Sequence, residues 1–208
     1  MRPTVTVDDT VLCEIEAEIS SHQAEIAQAH RRLGADVTIG HDAALIAGAD
    51  LVVHSTAIPE TNVELVAARA SGVPIRHRAE ILGAIIALHG RSVGVVGTHG
   101  KGTVASAITW LSTASDLAPG FIIGGLLENF DKINARLDSP DLVIAEVDES
   151  DGSLRHVHPT LVVVNNLEAD HLNYYDSLEH VQDTVTEALE DNDRLTQVVL
   201  NADDPGAM

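Results

Sequence analysis

The sequence contains few aromatic residues, few lysines and one cysteine. Aromatic residues make up 2% of its 208 residues, and Cys13 is the single cysteine. One cysteine excludes an intrachain disulfide bond, which is compatible with a reducing compartment. Because 45% of the residues are nonetheless hydrophobic, we expect aliphatic cores built from Val, Ile, Leu and Ala.

Basic residues and long apolar runs are also scarce. Twelve Lys and Arg residues face 32 Asp and Glu residues, which gives a formal net charge of −20. This charge argues against a nucleic acid or an anionic membrane surface as partner. No run reaches membrane-spanning length, and the N-terminus has no apolar signal core. We therefore expect a cytoplasmic protein that neither inserts into membranes nor binds nucleic acid.

One stretch combines the features of a phosphate-binding loop. A short apolar strand leads into the glycine-rich run Gly97–Thr103, and a segment with helical spacing follows. Glycines let backbone N–H groups turn toward an anion, and a helix N-terminus adds partial positive charge. Lys101 adds a full charge, and the Thr103 hydroxyl could contact Mg²⁺. The run departs from the pattern G-x-x-x-x-G-K-[ST] at Val95 and Gly102, and an ordinary glycine turn with a solvated lysine is the alternative interpretation.

Strand-like and helix-like segments alternate along the chain. The predicted strands are Ala35–Ile39, Asp50–Ser55, Gly72–Ile75, Val93–Val96, Pro119–Gly125, Asp141–Glu146, Thr160–Asn165 and Gln197–Asn201. The predicted helices are 22–33, Glu60–Ser71, Arg78–His89, Val104–Leu111 and Leu178–Leu189, and 11–19 fits either a strand or a helix. A capping box at Thr61–Glu64 is predicted for the second helix. This alternation predicts an α/β fold with a parallel sheet between helices.

Candidate ligand-binding groups follow several of these strands. In parallel sheets, ligands bind beyond the carboxyl ends of the strands, which makes Ser55–Pro59 a candidate ligand loop, although a turn set by Pro59 explains it equally well. Glu146 ends an apolar strand, where its carboxylate could bind Mg²⁺. We interpret most of Asp148–Asp151 as a solvated acidic loop. His171 is a less usual Mg²⁺ ligand.

Four motifs occur in an order that closely resembles the Mur ligases of peptidoglycan synthesis. The motifs are Gly97–Lys101, Ala145–Ser153, Asn166–His171 and Asn201–Pro205. The resemblance covers roughly residues 31–208 and favours the branch that joins L-alanine to UDP-N-acetylmuramate. It implies an incomplete Rossmann-like N-terminal domain followed by a P-loop-type parallel-sheet ATP-binding domain.

The resemblance also implies a mechanism and a set of site residues. ATP would phosphorylate the lactyl carboxylate of UDP-N-acetylmuramate, and the amine of L-alanine would attack the acyl phosphate. The residues expected to bind ATP are Gly97, Thr98, His99, Gly100, Lys101, Gly102 and Thr103. The expected catalytic residues are Lys101, Glu146 and His171, and the expected Mg²⁺ ligands are Thr103, Glu146 and His171. The residues expected to contact the UDP-sugar are Ser55, Thr56, Ala57, Arg78 and Glu80.

Parts of the family pattern are missing from the sequence. We expect an incomplete UDP-sugar domain at 1–91 without its opening glycine-rich loop, a truncated ATP-binding domain at 92–208, and no C-terminal amino-acid-binding domain. Such a chain should have little ligase activity alone and be a monomer or weak homodimer. A murein-peptide recycling ligase that uses a tripeptide, and a non-catalytic nucleotide-binding module, remain as alternatives. An unrelated P-loop phosphotransferase is a further one.

Overall fold

A computed structural model describes residues 4–7, 16–137, 141–149, 152–169 and 174–208. The chain divides into two compact units, residues 1–78 and 79–208. The domain boundary predicted after residue 91 stays a prediction. None of the helices in the described ranges is long and apolar enough to cross a membrane.

The first unit contains two small parallel sheets. Its elements are β1 (Thr4–Val7), α1 (Glu16–Arg32), β2 (Asp36–Ile39), a 3₁₀ turn (Ala43–Ile46), β3 (Val52–His54), α2 (Val63–Ser71) and β4 (Ile75–His77). Strand β1 pairs with β2, and β3 pairs with β4. The sequence did not indicate β1. In the ambiguous segment 11–19, residues 16–19 begin helix α1, and residues 11–15 lie outside the described residues.

Helix α2 begins at a different cap from the predicted one. Asn62 is its N-cap, and the Asn62 side chain accepts a hydrogen bond from the Glu64 amide at 2.9 Å. The capping box at Thr61–Glu64 was therefore wrong. Instead of turning back to the cap, the largely buried Glu64 carboxylate lies 3.1 Å from His41 Nδ1 and accepts the Asp42 amide at 3.2 Å.

The second unit is built on a six-stranded sheet. Its elements are α3 (Arg78–Ala87, which begins at the division), β5 (Arg91–Val96), α4 (Lys101–Ala114), β6 (Gly120–Leu127), a 3₁₀ turn (Glu128–Phe130), β7 (Ile133–Arg136), β8 (Leu142–Glu146), a 3₁₀ turn (Ser153–His156), β9 (Leu161–Val164), α5 (Leu178–Glu190) and β10 (Gln197–Leu200). The strand order is β10-β9-β5-β8-β6-β7, and every neighbouring pair is parallel except β6 and β7. The α/β fold with a mainly parallel sheet is confirmed, whereas β7 was not predicted.

Alternating strand residues supply two cores, one on each face of the sheet. Val95 and Ile144 pack with Ala105 of α4, while Val96 and Val143 pack with Ile86 of α3 and with residues of α5. Each fully buried aliphatic side chain stabilises the fold by roughly 1.5–3 kcal/mol. Because β5 is fixed on both faces and paired on both edges, the loop that follows it has a rigid base.

Candidate functional site

The glycine-rich loop lies at the carboxyl end of β5, between β9 and β8. These three strands are parallel, so their carboxyl ends and following loops meet at one edge of the sheet. Gly97 and Gly100 have φ angles of 141° and 76°, which favour glycine. Helix α4 starts at Lys101, and its N-cap Gly100 makes no side-chain capping bond. The first-turn amides of such a helix have no partner within the helix and suit an anion.

Two asparagines after β9 hold this loop in place. The Asn166 side chain accepts the His99 amide at 2.8 Å and donates to the His99 carbonyl at 2.9 Å. Asn165 Nδ2 donates to the same carbonyl at 2.6 Å. The Thr98 hydroxyl accepts the Glu168 amide at 2.9 Å. The sequence does not reveal this role of the asparagines, because their partner lies more than 60 residues earlier in the chain.

Lys101 lies at the base of the loop between two oxygen atoms. Its Nζ donates to the Gly97 carbonyl at 2.7 Å and to Glu149 Oε1 at 3.1 Å. The Glu149 side chain is only 1% exposed. Burial raises the pKa of the Glu149 carboxyl, and Lys101 opposes this shift through its charge and hydrogen bond. Glu149 is therefore an exception to the solvated loop expected for most of Asp148–Asp151, and it belongs to the site.

Glu146 ends β8 on the same side as the first turn of α4. Its Oε2 accepts the Gly124 amide of β6 at 2.8 Å. A Cβ added to Gly102 would lie 3.3 Å from this oxygen, so the carboxylate reaches the residue directly after Lys101. The structure thus brings Glu146 and the lysine-bearing turn to one edge of the sheet, as the sequence predicted.

The described part of this edge offers hard oxygen ligands for Mg²⁺. The Glu146 carboxylate is half-buried and the Thr103 side chain is exposed on the first turn of α4. Mg²⁺ is commonly held by one or two carboxylates together with phosphate oxygens and water, so this donor chemistry fits the ion. The third predicted ligand, His171, lies outside the described residues. Among the described residues, no group of three or more His, Cys, Asp or Glu side chains is arranged to hold a metal ion.

The predicted substrate loop lies in the first unit at the carboxyl ends of β3 and β4. The Thr56 hydroxyl lies 3.0 Å from His77 Nε2, and the ring centroids of His54 and His77 are 5.6 Å apart. Ser55 accepts a hydrogen bond at its carbonyl oxygen from His54 Nδ1 at 3.1 Å. Ala57 is exposed in the turn that follows.

The other two residues expected to contact the UDP-sugar lie on α3. Arg78 directly follows β4 and begins the helix, and Glu80 lies in the first helical turn. The sequence therefore places Arg78 next to His77, which is hydrogen-bonded to the Thr56 side chain.

Comparisons with known proteins identify relatives over the whole described fold. Residues 19–89 match the family model "Mur ligase family, catalytic domain", and residues 95–208 match "Mur ligase middle domain". A UDP-N-acetylmuramate–L-alanine ligase from Solidesulfovibrio magneticus is 39% identical over 199 residues, which cover 94% of this chain and 43% of that protein. The chain thus spans less than half the length of that relative.

Two solved structures resemble the chain over nearly its full length. A UDP-N-acetylmuramate:L-alanyl-γ-D-glutamyl-meso-diaminopimelate ligase from Neisseria meningitides is 27% identical, with a TM-score of 0.75 and coverage of 97% of this chain and 64% of the other. A UDP-N-acetylmuramate–alanine ligase from Thermotoga maritima has a TM-score of 0.76 at 24% identity, covers 97% of this chain and 44% of the other, and confirms the fold. Because one family model alone matches more than half of the sequence, the chain belongs to the Mur ligase family.

Proposed function

We propose that this chain is part of an ATP-dependent ligase that joins L-alanine to UDP-N-acetylmuramate. Membership of the Mur ligase family supports a ligase, and the name of the relative from Solidesulfovibrio magneticus supports this pair of substrates. One observation carries the proposal. Lys101 is the first residue of α4, and the Glu146 carboxylate reaches the first turn of the same helix at the carboxyl edge of the sheet. A triphosphate at this helix N-terminus would contact both groups.

The reaction needs a phosphoryl transfer followed by an acyl transfer. The sugar carboxylate attacks the γ-phosphorus of ATP, which gives an acyl phosphate and ADP. The neutral amine of L-alanine then attacks the acyl carbon, so that an amide forms and phosphate leaves. The Lys101 ammonium stabilises negative charge on the phosphoryl group during transfer. Thr103, Glu146 and His171 would hold Mg²⁺, which supplies further charge neutralisation and orients the phosphates when bound.

The first unit supplies four of the five proposed contacts to the UDP-sugar. Ser55, Thr56 and Ala57 form the loop after β3, and Arg78 and Glu80 begin α3. The loop carries hydroxyl groups and Arg78 carries a positive charge, and both suit phosphate and hydroxyl groups of a nucleotide-sugar. The cytoplasmic location and the monomer or weak homodimer stay predictions.

We expect the chain alone to have weak ligase activity. Amide formation needs both substrates held together in one closed site, and the chain covers 43% of the relative from Solidesulfovibrio magneticus. Phosphate release with L-alanine at the rate of a full-length family member would overturn this expectation. A non-catalytic nucleotide-binding module would instead bind ATP without any turnover, even when the remaining part of a full-length relative is supplied as a separate chain.

The recycling ligase is the second candidate function. The structure from Neisseria meningitides, whose name specifies a tripeptide, favours it at 27% identity over 97% of this chain. The L-alanine ligase from Solidesulfovibrio magneticus is more similar in sequence, at 39%. Parallel assays with L-alanine and with the free tripeptide, in the presence of the remaining part of a full-length relative, distinguish the two.

Calorimetric titration with Mg·ATP tests the nucleotide site directly. We expect binding to the chain and at least about tenfold weaker binding to Lys101→Ala, because a charged partner of the phosphates is removed. The chain offers a matched control, since Lys132→Ala removes the only other lysine, which is half-exposed and pairs with Glu128. Equal affinity for the two variants would contradict the proposed site.

A further inference from the structure

The ammonium of Lys101 is held before any nucleotide binds. The Lys101 side chain is 14% exposed, and its Nζ donates to Glu149 Oε1 and to the Gly97 carbonyl. A free lysine side chain has up to about 2 kcal/mol of rotamer entropy to lose. Two fixed acceptors remove part of this cost in advance, which favours subsequent binding of a phosphate.

Glu149 is itself fixed through its backbone. Its carbonyl oxygen accepts hydrogen bonds from the buried Tyr175 hydroxyl and from the Gly152 amide, the latter at 3.2 Å. Two residues earlier, the Val147 amide donates to the Val95 carbonyl and extends the β5–β8 ladder beyond Glu146. The backbone around Glu149 is therefore tied to the sheet on one side and to the segment before α5 on the other.

A cation beside Glu149 offsets part of the cost of its burial. Removing a carboxylate from water carries a large penalty unless a charge partner and hydrogen bonds compensate. Lys101 is such a partner at 3.1 Å. A solvated acidic loop would leave this side chain exposed, as it leaves Glu168, whose side chain is 60% exposed.

We propose that Glu149, braced by Tyr175, is a positioning residue that holds the Lys101 ammonium in the phosphate loop. This inference rests on the proposed nucleotide site and assigns to Glu149 a role that it performs through Lys101. Without the carboxylate, the Lys101 ammonium loses one of its two acceptors, and its side chain can adopt rotamers that point away from the loop. Substitution should therefore weaken Mg·ATP binding while the global fold is retained.

The two lysines of the chain allow a direct test by competitive acetylation. The full chain is treated with a limiting amount of an N-hydroxysuccinimide acetate, and the acetylation rates of Lys101 and Lys132 are measured by peptide mass spectrometry. A lysine held in hydrogen bonds reacts slowly, so Lys132, 54% exposed, should react faster. We expect Glu149→Gln to raise the Lys101 to Lys132 rate ratio by about fivefold, since a neutral acceptor holds an ammonium less strongly. An unchanged ratio in a folded variant would overturn the proposal.

A neighbouring substitution provides the matched control. Asp148→Asn makes the same change of charge one residue earlier, at a half-exposed side chain, and should leave the ratio unchanged. If Glu149→Gln fails to give a native circular dichroism spectrum, Tyr175→Phe replaces it, with an expected rise of about twofold from the lost hydroxyl. A rise of the same size in Asp148→Asn would mean a general charge effect and would contradict positioning.

A parallel arm with saturating Mg·ATP separates this inference from the proposed function. ATP should protect Lys101 from acetylation in the wild-type chain and leave Lys132 unaffected. Absence of protection would refute the nucleotide site whatever the effect of Glu149→Gln. Protection together with equal ratios in the wild type and Glu149→Gln would refute only the role of Glu149.

Discussion

The carboxylate of Glu146 accepts the Gly124 amide at 2.8 Å and lies 3.3 Å from the position that a Cβ on Gly102 would occupy. It therefore bridges β6 and the first turn of α4, one residue after Lys101. The glycine that replaces the usual hydroxyl residue after the lysine leaves room for this carboxylate. Thr103 is then the first residue of the helix that carries a hydroxyl group.

Glu146→Gln should weaken the Mg²⁺-dependent binding of ATP without unfolding the chain. The amide oxygen of Gln can still accept from Gly124, whereas the negative charge that attracts the ion is gone. We expect at least about a tenfold loss of affinity for Mg·ATP, since even indirect partners of a metal site cost 10–100-fold. Calorimetry with and without Mg²⁺ measures the effect.

An exposed glutamate serves as the control for this substitution. Glu128→Gln removes one charge from a side chain that is 75% exposed, and should leave Mg·ATP affinity unchanged. The metal role of Glu146 would be contradicted if both variants lost affinity to the same extent.

Asn166→Ala should loosen the phosphate loop more than Asn165→Ala does. Asn166 makes two hydrogen bonds to the His99 backbone and Asn165 makes one. We expect a loss of about 1–2 kcal/mol in the free energy of unfolding for Asn166→Ala and about half of that for Asn165→Ala. Urea unfolding of both single variants and the double variant measures these changes.

The double variant should be more destabilised than the sum of the two single variants. Both side chains donate to the His99 carbonyl, so each can partly replace the other. Strict additivity would mean that the two asparagines act on separate parts of the loop.

Gly97→Ala should destabilise the chain and weaken ATP binding. A Cβ at this position would lie 2.9 Å from the Asn166 carbonyl oxygen, and the φ angle of 141° disfavours any other residue. We expect a loss of more than about 1 kcal/mol in the free energy of unfolding. Gly90→Ala, where no atom lies within 4 Å of an added Cβ, is the control. A wild-type transition midpoint for Gly97→Ala would contradict this account of the loop.

The sequence revealed the positions of the main elements because aliphatic runs and helical spacing alternate clearly. Val93–Val96 and Leu142–Ala145 are continuous runs without a polar side chain, and both lie within strands. Strand β7 lacks this signal: Arg136, which packs over the rings of Phe121 and Phe130, ends a short edge strand. Its pairing depends on the neighbour β6 rather than on its own pattern.

The sequence revealed only those site residues whose type or position is unusual in this chain. Lys101 stood out because the chain has two lysines, and Glu146 because it ends an apolar strand. In the adjacent acidic run, composition cannot tell which carboxylate is buried. The continuation of the β5–β8 ladder through Val147 turns Glu149 inward and leaves Asp148 half-exposed. Which carboxylate of the acidic run is buried therefore depends on tertiary packing.

The stability of the wild-type chain relative to Glu149→Gln should decrease as the pH rises. Burial raises the pKa of the Glu149 carboxyl above its ordinary value, against the opposing effect of Lys101. The folded chain therefore binds this proton more tightly than the unfolded chain does. The resulting stabilisation is complete below the unfolded pKa and is lost as the pH rises through the folded pKa.

Urea unfolding of both proteins at a series of pH values from 4.5 upward measures this difference. Glu149→Gln has no titrating group at this position, so subtraction removes the contributions of the other acidic residues. We expect the difference in the free energy of unfolding, wild type minus variant, to fall across the window and then level off. A difference that grows with pH would show instead that attraction to Lys101 outweighs burial, because the charged carboxylate would then be the more stable form in the folded chain.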